Sequence, residues 1–305
     1  MEEILIFGHQ NPDTDATISA IALANFENKK GNKTIPCILG KLNKETKYVL
    51  EYFKQEEPKL IESLSKDQKV MLVDHNEFSQ SANGIENAKI LRVVDHHKIA
   101  DFKTSEPIYY TSMPVGCTAT IIYGMYMQEN IEIDPTIAGL MLSAIISDTL
   151  LFKSPTCTEI DINVAKRLSH IAKIDVTKYG LDMLKAGTDL SDFTPDELIN
   201  IDSKPFSTNG VKYQVAQVNT ACIDDVLKDK QEIEEAMKNF IEKNSQDLFV
   251  LLITDIIENN SQVIAIGRQD IVEKAFEIKL ENNTAFLPGV VSRKKQVVPV
   301  IENNC

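Results

Sequence analysis

The chain has 305 residues, of which 43% are hydrophobic and 25% charged, and its formal net charge is −13. This composition is typical of a soluble globular protein, and the length predicts two domains. The acidic balance argues against DNA or RNA as the main partner, because nucleic-acid binding needs a basic face.

The cysteines, the N-terminus and the apolar runs together predict a cytoplasmic protein. The five cysteines are scattered and form no C-x-x-C pair, which suits a reducing compartment better than a disulfide framework. The N-terminal stretch is acidic where a signal peptide would be basic. The longest apolar stretch, residues 137–146, is about half as long as a membrane span, so we expect none.

The first half of the chain alternates apolar strands with helices, which predicts an α/β fold with a parallel sheet flanked by helices. Continuous apolar runs predict buried strands at 3–7, 70–74 and 90–95. Apolar periodicity predicts one helix that begins at Asp15 and others over 115–128, 135–147 and 159–173. Asp134 and Pro135 are the predicted N-cap and first residue of the 135–147 helix.

A second, smaller α/β domain is predicted for the C-terminal part of the chain. Small, polar and proline residues interrupt the periodicity, and we place a linker at 188–195 between domains 1–187 and 196–305. The elements predicted beyond the linker are strands at 211–218, 248–257, 262–267 and 296–301 and helices at 224–243 and 270–276.

Four polar clusters lie at the ends of apolar elements in the first half of the chain. They are His9/Asp13/Asp15, Asp74-His75-Asn76, Asp95-His96-His97 and Ser147-Asp148-Thr149. The first three should converge, because the carboxyl ends of parallel strands face one crevice. Neighbouring carboxylates are tolerated there if divalent cations lie between them. Aspartate and histidine without thiolate fit two Mn²⁺ ions, with Co²⁺, Zn²⁺ or Mg²⁺ as competitors.

Other polar residues give weaker signals. Residues 292–296 form the densest basic segment, which by composition is a solvated turn or a phosphate-binding cluster. Lys204 is a surface residue on spacing alone, and His170 lies in a helix among basic residues with no acidic partner motif. The chain has no Walker A, G-x-G-x-x-G, H-E-x-x-H or G-x-S-x-G motif, which argues against nucleotide-driven phosphoryl transfer and serine hydrolysis.

Five motifs resemble those of the DHH phosphoesterase superfamily and, more narrowly, of the manganese-dependent family II inorganic pyrophosphatases. They are GHQNPDTDA (8–16), VDHNE (73–77), VVDHH (93–97), ISDT (146–149) and SRKKQ (292–296). The resemblance implies an N-terminal DHH domain and a smaller C-terminal domain of the DHHA2 type. It also implies hydrolysis of inorganic pyrophosphate to two orthophosphates at a dinuclear metal centre, with a bridging hydroxide as the nucleophile.

The resemblance further implies roles for individual residues. Two Mn²⁺ ions, or Co²⁺ in their place, would be held by two ligand sets: His9, Asp13 and Asp74 for one, and Asp15, Asp74, His96 and Asp148 for the other. Two residues would orient ligands: His75 and Asp95. Four would act on the substrate phosphates as catalytic and binding groups: His97, Lys204, Arg293 and Lys294. Members of this family usually form homodimers, and a further Mg²⁺ would arrive with pyrophosphate.

Two alternatives to a pyrophosphatase remain at this point. The first is another hydrolase of the superfamily, an exopolyphosphatase or a nanoRNase-like nuclease. The nuclease branch typically carries a glycine-rich, histidine-containing motif in its second domain, and this chain has no histidine after His170. The second is a metal- or phosphate-binding module without turnover, which is less favoured because the ligands and the cationic residues are all present.

Overall fold

A computed structural model describes residues 3–305, so the first two residues of the acidic N-terminal stretch lie outside the described part. The chain divides into two compact units, with the boundary between Gly187 and Thr188. Each unit is built on one β-sheet. Within the described residues, no helix has the length and apolar character needed to cross a membrane.

The first unit is built on a six-stranded sheet in which all neighbouring strands are parallel. Its order is β3-β2-β1-β4-β5-β6. The strands are β1 (Ile4–Phe7), β2 (Thr34–Ile38), β3 (Lys59–Leu60), β4 (Lys69–Val73), β5 (Lys89–Asp95) and β6 (Tyr109–Ser112). The order reverses between β1 and β4, which makes the carboxyl ends of these two strands the topological switch point where ligands bind in such sheets.

The described residues of the first unit form six α-helices. They are α1 (Thr14–Lys29), α2 (Lys44–Tyr52), α3 (Thr118–Gln128), α4 (Pro135–Asp148), α5 (Glu159–Ala172) and α6 (Val176–Gly187). The predicted start of α4 is confirmed, because Asp134 Oδ1 accepts a hydrogen bond of 3.0 Å from Ile137 N and Pro135 is the first helical residue. Helices α2 and α6 were not predicted.

A close approach between β1 and α1 sets the position of the first polar cluster. A Cβ atom added at Gly8 would lie only 2.5 Å from Ala16 Cβ and 2.9 Å from Ala16 Cα, so glycine permits this packing. Asp13 is the N-cap of α1 and accepts a 2.9 Å hydrogen bond from Ala16 N. The turn thereby holds Asp13 and Asp15 directly beyond the end of β1.

The second unit is built on a five-stranded mixed sheet in the order β11-β10-β9-β8-β7. Strands β8 and β9 are parallel, and the other pairs are antiparallel. Its strands are β7 (Ser203–Thr208), β8 (Val211–Thr220), β9 (Leu248–Asp255), β10 (Asn260–Gly267) and β11 (Thr284–Leu287). Its helices are α7 (Pro195–Leu198), α8 (Ile223–Leu227), α9 (Lys230–Asn244), α10 (Gln269–Phe276) and α11 (Val298–Glu302). The prediction of a parallel α/β domain followed by a smaller α/β domain is confirmed.

Two predicted elements of the second unit are wrong. The helix predicted over 224–243 is two helices, α8 and α9, which are separated at Lys228 and Asp229. The strand predicted over 296–301 is helical, with a π-helical turn at Arg293–Val297 followed by α11. The proline of this run stands at the start of α11, where its missing N–H group costs no helical hydrogen bond. The buried residues 297, 298 and 301 are spaced as on one face of a helix, whereas a strand would bury alternate residues.

We expect Gly8→Ala to lower the free energy of unfolding of the metal-free protein by about 1–3 kcal/mol, because the added methyl group would overpack the contact with Ala16. Urea unfolding followed by circular dichroism measures this change. The matched control is Gly124→Ala in α3, where nothing lies within 4 Å of an added Cβ. That variant should gain about 0.5–1 kcal/mol from the higher helix propensity of alanine. A Gly8→Ala protein as stable as the parent would contradict the close packing of β1 and α1.

Candidate metal centre

The predicted metal ligands lie at the carboxyl edge of the sheet in the first unit. His9, Asp13 and Asp15 follow β1, and Asp74 follows β4, the neighbour of β1 at the switch point. His96 follows β5, the next strand in the sheet. The sixth residue, Asp148, is the last residue of α4. Segments far apart in the chain are therefore brought to one crevice, as the parallel topology requires.

Asp74 lies at the centre of this cluster, and its two carboxylate oxygens face different histidines. Its Oδ2 is 3.4 Å from His9 Nε2, which is also 3.4 Å from Asp13 Oδ2. Its Oδ1 is 3.3 Å from His96 Nε2, which is 3.8 Å from Asp148 Oδ2. Asp74 itself has a φ of +59°, a left-handed conformation that aspartate tolerates better than most residues.

Over residues 3–305, potential ligand atoms within 4.8 Å of one another form three overlapping groups. The first is His9, Asp13 and Asp74; the second is Asp15, Asp74, His96 and Asp148; the third is Asp74, His96 and His97. The first two coincide with the two ligand sets implied by the motif resemblance. The assignment of each residue to a particular ion stays a prediction.

The donor atoms fit divalent Mn²⁺. All three groups offer only carboxylate oxygen and imidazole nitrogen, the mixed hard and borderline ligands that suit Mn²⁺ better than thiolate-rich sites would. The Nε2 atoms of the two histidines lie 3.3–3.8 Å from the facing carboxylate oxygens, which is too long for strong hydrogen bonds. These distances are close to the spacing of two atoms that each lie about 2.1–2.2 Å from a shared ion.

The buried carboxylate of Asp15 is fixed mainly by the N-terminus of α3. Its Oδ2 accepts a 2.6 Å hydrogen bond from Thr118 N, and its Oδ1 accepts bonds of 3.2 Å from Ala119 N and 2.7 Å from Ser19 Oγ. Thr118 Oγ1 also donates to Asp74 Oδ1 at 3.1 Å. The free amide groups of a helix N-terminus stabilise negative charge, so α3 offsets part of the repulsion among these carboxylates.

Hydrogen bonds also orient the imidazole of His96. The Nδ1 atom of His96 lies 2.9 Å from the carbonyl oxygen of Val115, which can only accept a hydrogen bond. Nδ1 therefore keeps a proton, and Nε2, the atom directed at Asp74 and Asp148, can bind a metal ion once its own proton leaves.

The three other predicted residues of the first unit surround the ligands. Asp95 is fully buried and accepts hydrogen bonds from His97 Nδ1 at 2.9 Å and from Asn76 Nδ2 at 2.6 Å. His97 is half exposed. His75 is buried, with Nδ1 2.9 Å from Val73 O and Nε2 3.1 Å from Ser81 Oγ, so both ring nitrogens already have partners. A cavity of about 210 Å³ beside the cluster is lined by residues that include His9, Asp74, His75, Asn76, His97 and Lys98.

Burial and mutual repulsion perturb the protonation of the cluster. Burial, together with the charge of Asp74, raises the pKa of Asp15 to about 6, and the same kinds of effect raise the pKa of Asp148. Burial disfavours protonated His9, but the facing carboxylates of Asp13 and Asp74 outweigh burial and raise its pKa to about 10. For His96, the facing carboxylate of Asp74 similarly outweighs burial and raises the pKa to about 9. Protons thus supply the positive charge that a divalent cation would replace.

Sequence patterns did not reveal the role of Glu45 in this centre. Glu45 lies in α2, and its Oε1 accepts hydrogen bonds of 2.6 Å from Thr14 Oγ1 and 2.5 Å from Ser147 Oγ. Thr14 lies between Asp13 and Asp15, and Ser147 directly precedes Asp148. Glu45 therefore links two ligand-bearing segments, and its burial raises its pKa. The only available signal was a glutamate in the first turn of a helix that was not predicted.

The predicted phosphate-binding residues lie in the second unit. Lys204 in β7 and Lys294 in the π-helical turn are exposed. Arg293 is largely buried, and its Nη1 lies 2.8 Å from Asp202 Oδ1 and donates a short hydrogen bond to the Asp202 carbonyl. Sequence patterns did not reveal this ion pair. Of the three predicted residues, Arg293 is thus held in a fixed position, and Lys204 and Lys294 reach solvent.

Comparisons with known proteins agree with this geometry. A model of the N-terminal domain of the DHH family matches residues 3–145, and a DHHA2 domain model matches residues 181–304. The manganese-dependent inorganic pyrophosphatase of Bacillus subtilis is 56% identical, over 99% of this chain and 98% of its own length. This chain belongs to the manganese-dependent inorganic pyrophosphatase family. The relative in Bacillus velezensis, named a probable enzyme of this kind, is 58% identical over the same shares of the two chains.

Solved structures show similar folds. A Methanococcus jannaschii protein assigned to the family II inorganic pyrophosphatases is 42% identical, with a TM-score of 0.63 over 99% of both chains. An exopolyphosphatase-related protein from Bacteroides fragilis has a TM-score of 0.51 over 99% of this chain and 91% of its own, at 12% identity. The second likeness extends to the fold alone.

We expect Mn²⁺ to bind the metal-free protein more tightly as the pH rises from about 7 to about 9, by up to about tenfold per pH unit for each proton displaced. The reason is that His9 and His96, with pKa values of about 10 and 9, hold protons in this range that the metal must displace. Isothermal titration calorimetry in buffers of different ionisation enthalpy measures both the affinity and the number of protons released. An affinity that does not change across this range would contradict the raised histidine pKa values.

Proposed function

We propose that this protein hydrolyses inorganic pyrophosphate to two orthophosphates at a centre of two Mn²⁺ ions in the first unit. The observation that carries the proposal is the position of Asp74, whose Oδ2 faces His9 and whose Oδ1 faces His96. A carboxylate with one oxygen toward each of two ligand groups is suited to bridge two ions. Membership in the manganese-dependent inorganic pyrophosphatase family supports the same reaction.

In this proposal the side chains of the first unit would hold the two metal ions in two ligand sets. His9 and Asp13 complete one ligand set with Asp74, and Asp15, His96 and Asp148 complete the other. When bound, the two ions lower the pKa of a water molecule and withdraw negative charge from the phosphoryl oxygens. Burial of the Asp15 and Asp74 carboxylates keeps these two ligands in a low-dielectric setting, where their electrostatic interactions are stronger than in water.

His97 is the proposed phosphate-binding residue of the first unit. Its hydrogen bond to buried Asp95 raises its pKa, so more of the imidazole carries a positive charge at neutral pH than in an isolated histidine. The ring lines the cavity beside the ligand cluster. The cavity volume of about 210 Å³ is below the roughly 300–1,000 Å³ of pockets for drug-sized ligands, which favours a small substrate.

Lys204, Arg293 and Lys294 are proposed to bind the distal phosphate of the substrate. Cationic side chains would stabilise the charge that develops on the leaving phosphate. Asp202 supports the role of Arg293 by holding its guanidinium group through the side chain and the backbone carbonyl.

Several further features of the protein and of its metal centre stay predictions. They are the count of two ions, the use of Co²⁺ in place of Mn²⁺, an additional Mg²⁺ with the substrate, a homodimer, a cytoplasmic location, and the domain boundaries with a linker at 188–195. Exopolyphosphatase is the second candidate function, because that activity would use the same ligand chemistry.

The test of the proposed function is phosphate release by metal-stripped protein after addition of Mn²⁺, Co²⁺, Mg²⁺ or Zn²⁺. We expect pyrophosphate to be hydrolysed fastest with Mn²⁺ or Co²⁺, and long-chain polyphosphate to release little phosphate under the same conditions. Faster release from polyphosphate would favour the exopolyphosphatase alternative, and no release from either substrate would contradict both.

Asp74→Ala should reduce kcat with pyrophosphate by more than about 100-fold, since loss of a ligand should exceed the 10–100-fold effects seen for residues that only support ligands. The matched control is His170→Ala, which changes an exposed histidine of α5 that belongs to none of the three ligand groups. That variant should keep the parent activity. Equal losses in the two variants would contradict the assignment of the site.

Lys294→Ala should raise KM for pyrophosphate by about 10–100-fold, because a charge-assisted hydrogen bond to phosphate contributes about 1.5–3 kcal/mol. Lys295→Ala is the matched control, since Lys295 is an adjacent exposed lysine without a proposed contact. Steady-state phosphate release measures both variants. Identical KM values for the two would remove Lys294 from the proposed phosphate-binding set.

A further inference from the structure

Residues 115–120 contact three of the six predicted metal ligands. The Val115 carbonyl accepts the hydrogen bond from His96 Nδ1 at 2.9 Å. The amides of residues 118 and 119 donate to Asp15. The hydroxyl of residue 118 donates to Asp74 at 3.1 Å. The 115–120 segment therefore helps to hold two ligands that directly follow β5 and β4 and one that lies in α1.

Asp161, a fully buried residue of α5, anchors the 115–120 segment at two points. Its Oδ2 accepts a hydrogen bond of 2.8 Å from Gly116 N, and its Oδ1 accepts one of 2.6 Å from Thr120 Oγ1. The packing is close, because a Cβ added at Gly116 would lie 3.0 Å from Asp161 Oδ2 and 2.9 Å from the Thr149 methyl group. Asp161 belongs to none of the three potential ligand groups.

The same carboxylate also caps its own helix. Thr158 N donates to Asp161 Oδ2 at 2.8 Å and Asp161 N donates to Thr158 Oγ1 at 3.4 Å, which together form a capping box at the start of α5. Thr158 Oγ1 also donates to Asp161 Oδ2 at 2.7 Å. A capping box needs only these local contacts. The hydrogen bonds to Gly116 and Thr120, more than forty residues away in the chain, are not part of this cap and instead join α5 to the 115–120 segment.

We propose that Asp161 is a positioning residue that fixes Asp15, Asp74 and His96 for metal binding through the 115–120 segment. This inference rests on the proposed function, because it takes those three residues as metal ligands. Residues that orient metal ligands usually change metal affinity by about 10–100-fold when they are replaced. Asp161 acts one step further from the metal, through a backbone amide and a hydroxyl group.

Asp161→Ala and Asp161→Asn separate hydrogen bonding from charge. Alanine leaves the buried Gly116 N–H without its acceptor, so the 115–120 segment loses its anchor. The asparagine carbonyl oxygen can replace Oδ2, and its amide can donate to Thr120 Oγ1 in place of Oδ1, because a hydroxyl group also accepts. Asparagine should therefore rescue the metal affinity that alanine loses.

Thr120→Val and Thr158→Val form a matched pair. Each removes one hydroxyl group that donates to Asp161, at 2.6 Å and 2.7 Å respectively, and each keeps the shape of the side chain. Only Thr120 belongs to the 115–120 segment. Thr158→Val weakens the cap of α5 and should lower the urea midpoint of the metal-free protein without changing Mn²⁺ affinity.

The experiment measures the Mn²⁺ dissociation constant of each full-length variant by electron paramagnetic resonance of free Mn²⁺, together with the urea midpoint of the metal-free protein. We expect the constant to rise about 10–100-fold in Asp161→Ala and about tenfold in Thr120→Val, and to change less than about threefold in Asp161→Asn and Thr158→Val. These changes should not follow the order of the urea midpoints.

Two outcomes would overturn the inference, and they differ from failure of the proposed function. Equal Mn²⁺ affinity in Thr120→Val and Thr158→Val would overturn it even if Asp161→Ala does not fold. Parent-like affinity in Asp161→Ala would also overturn it. If the parent protein bound Mn²⁺ but released no phosphate from pyrophosphate, only the proposed reaction would fail, and if it bound no Mn²⁺ both would fail.

Discussion

Enclosed negative charge is the constraint on which the first unit depends. The carboxylates of Asp15 and Asp74 are buried, and that of Asp148 lies close to them. Such groups repel one another and lose hydration, so they need positive partners. The chain provides two histidines and the amide end of α3. These partners leave part of the negative charge of the carboxylates uncompensated. A pair of divalent cations would compensate the remainder.

The sheet topology explains how this charge is gathered. A parallel order with its reversal between β1 and β4 places the ends of three consecutive sheet neighbours at one crevice. Tight packing at Gly8 and an anchored segment at 115–120 then fix the side chains around that crevice. Hydrogen bonds to backbone groups and hydroxyl groups hold the ligand residues in place. Through such bonds, Glu45 and Asp161 each connect segments that are distant in the chain.

The parts of the fold that the sequence predicts are those with a strong local signal. Apolar runs that end in Asp74 and Asp95 mark β4 and β5, and the residue types beyond them indicate metal chemistry. The sequence does not reveal Glu45 or Asp161, because each acts through contacts with residues that are remote in the chain. The apolar run 296–301 is ambiguous between strand and helix, and the packing of Val297 and Ile301 decides for helix.

The ligand cluster draws on residues from His9 to Asp148, so it cannot exist in any short fragment of the chain. Its formation requires β1, β4, β5 and the end of α4 to be assembled, and these contacts are distant in sequence. A cation held there binds the native state and not the unfolded chain, and it stabilises folding by mass action. We expect the cluster to be completed late in folding, so that a bound metal ion would slow the unfolding of this unit rather than accelerate its folding.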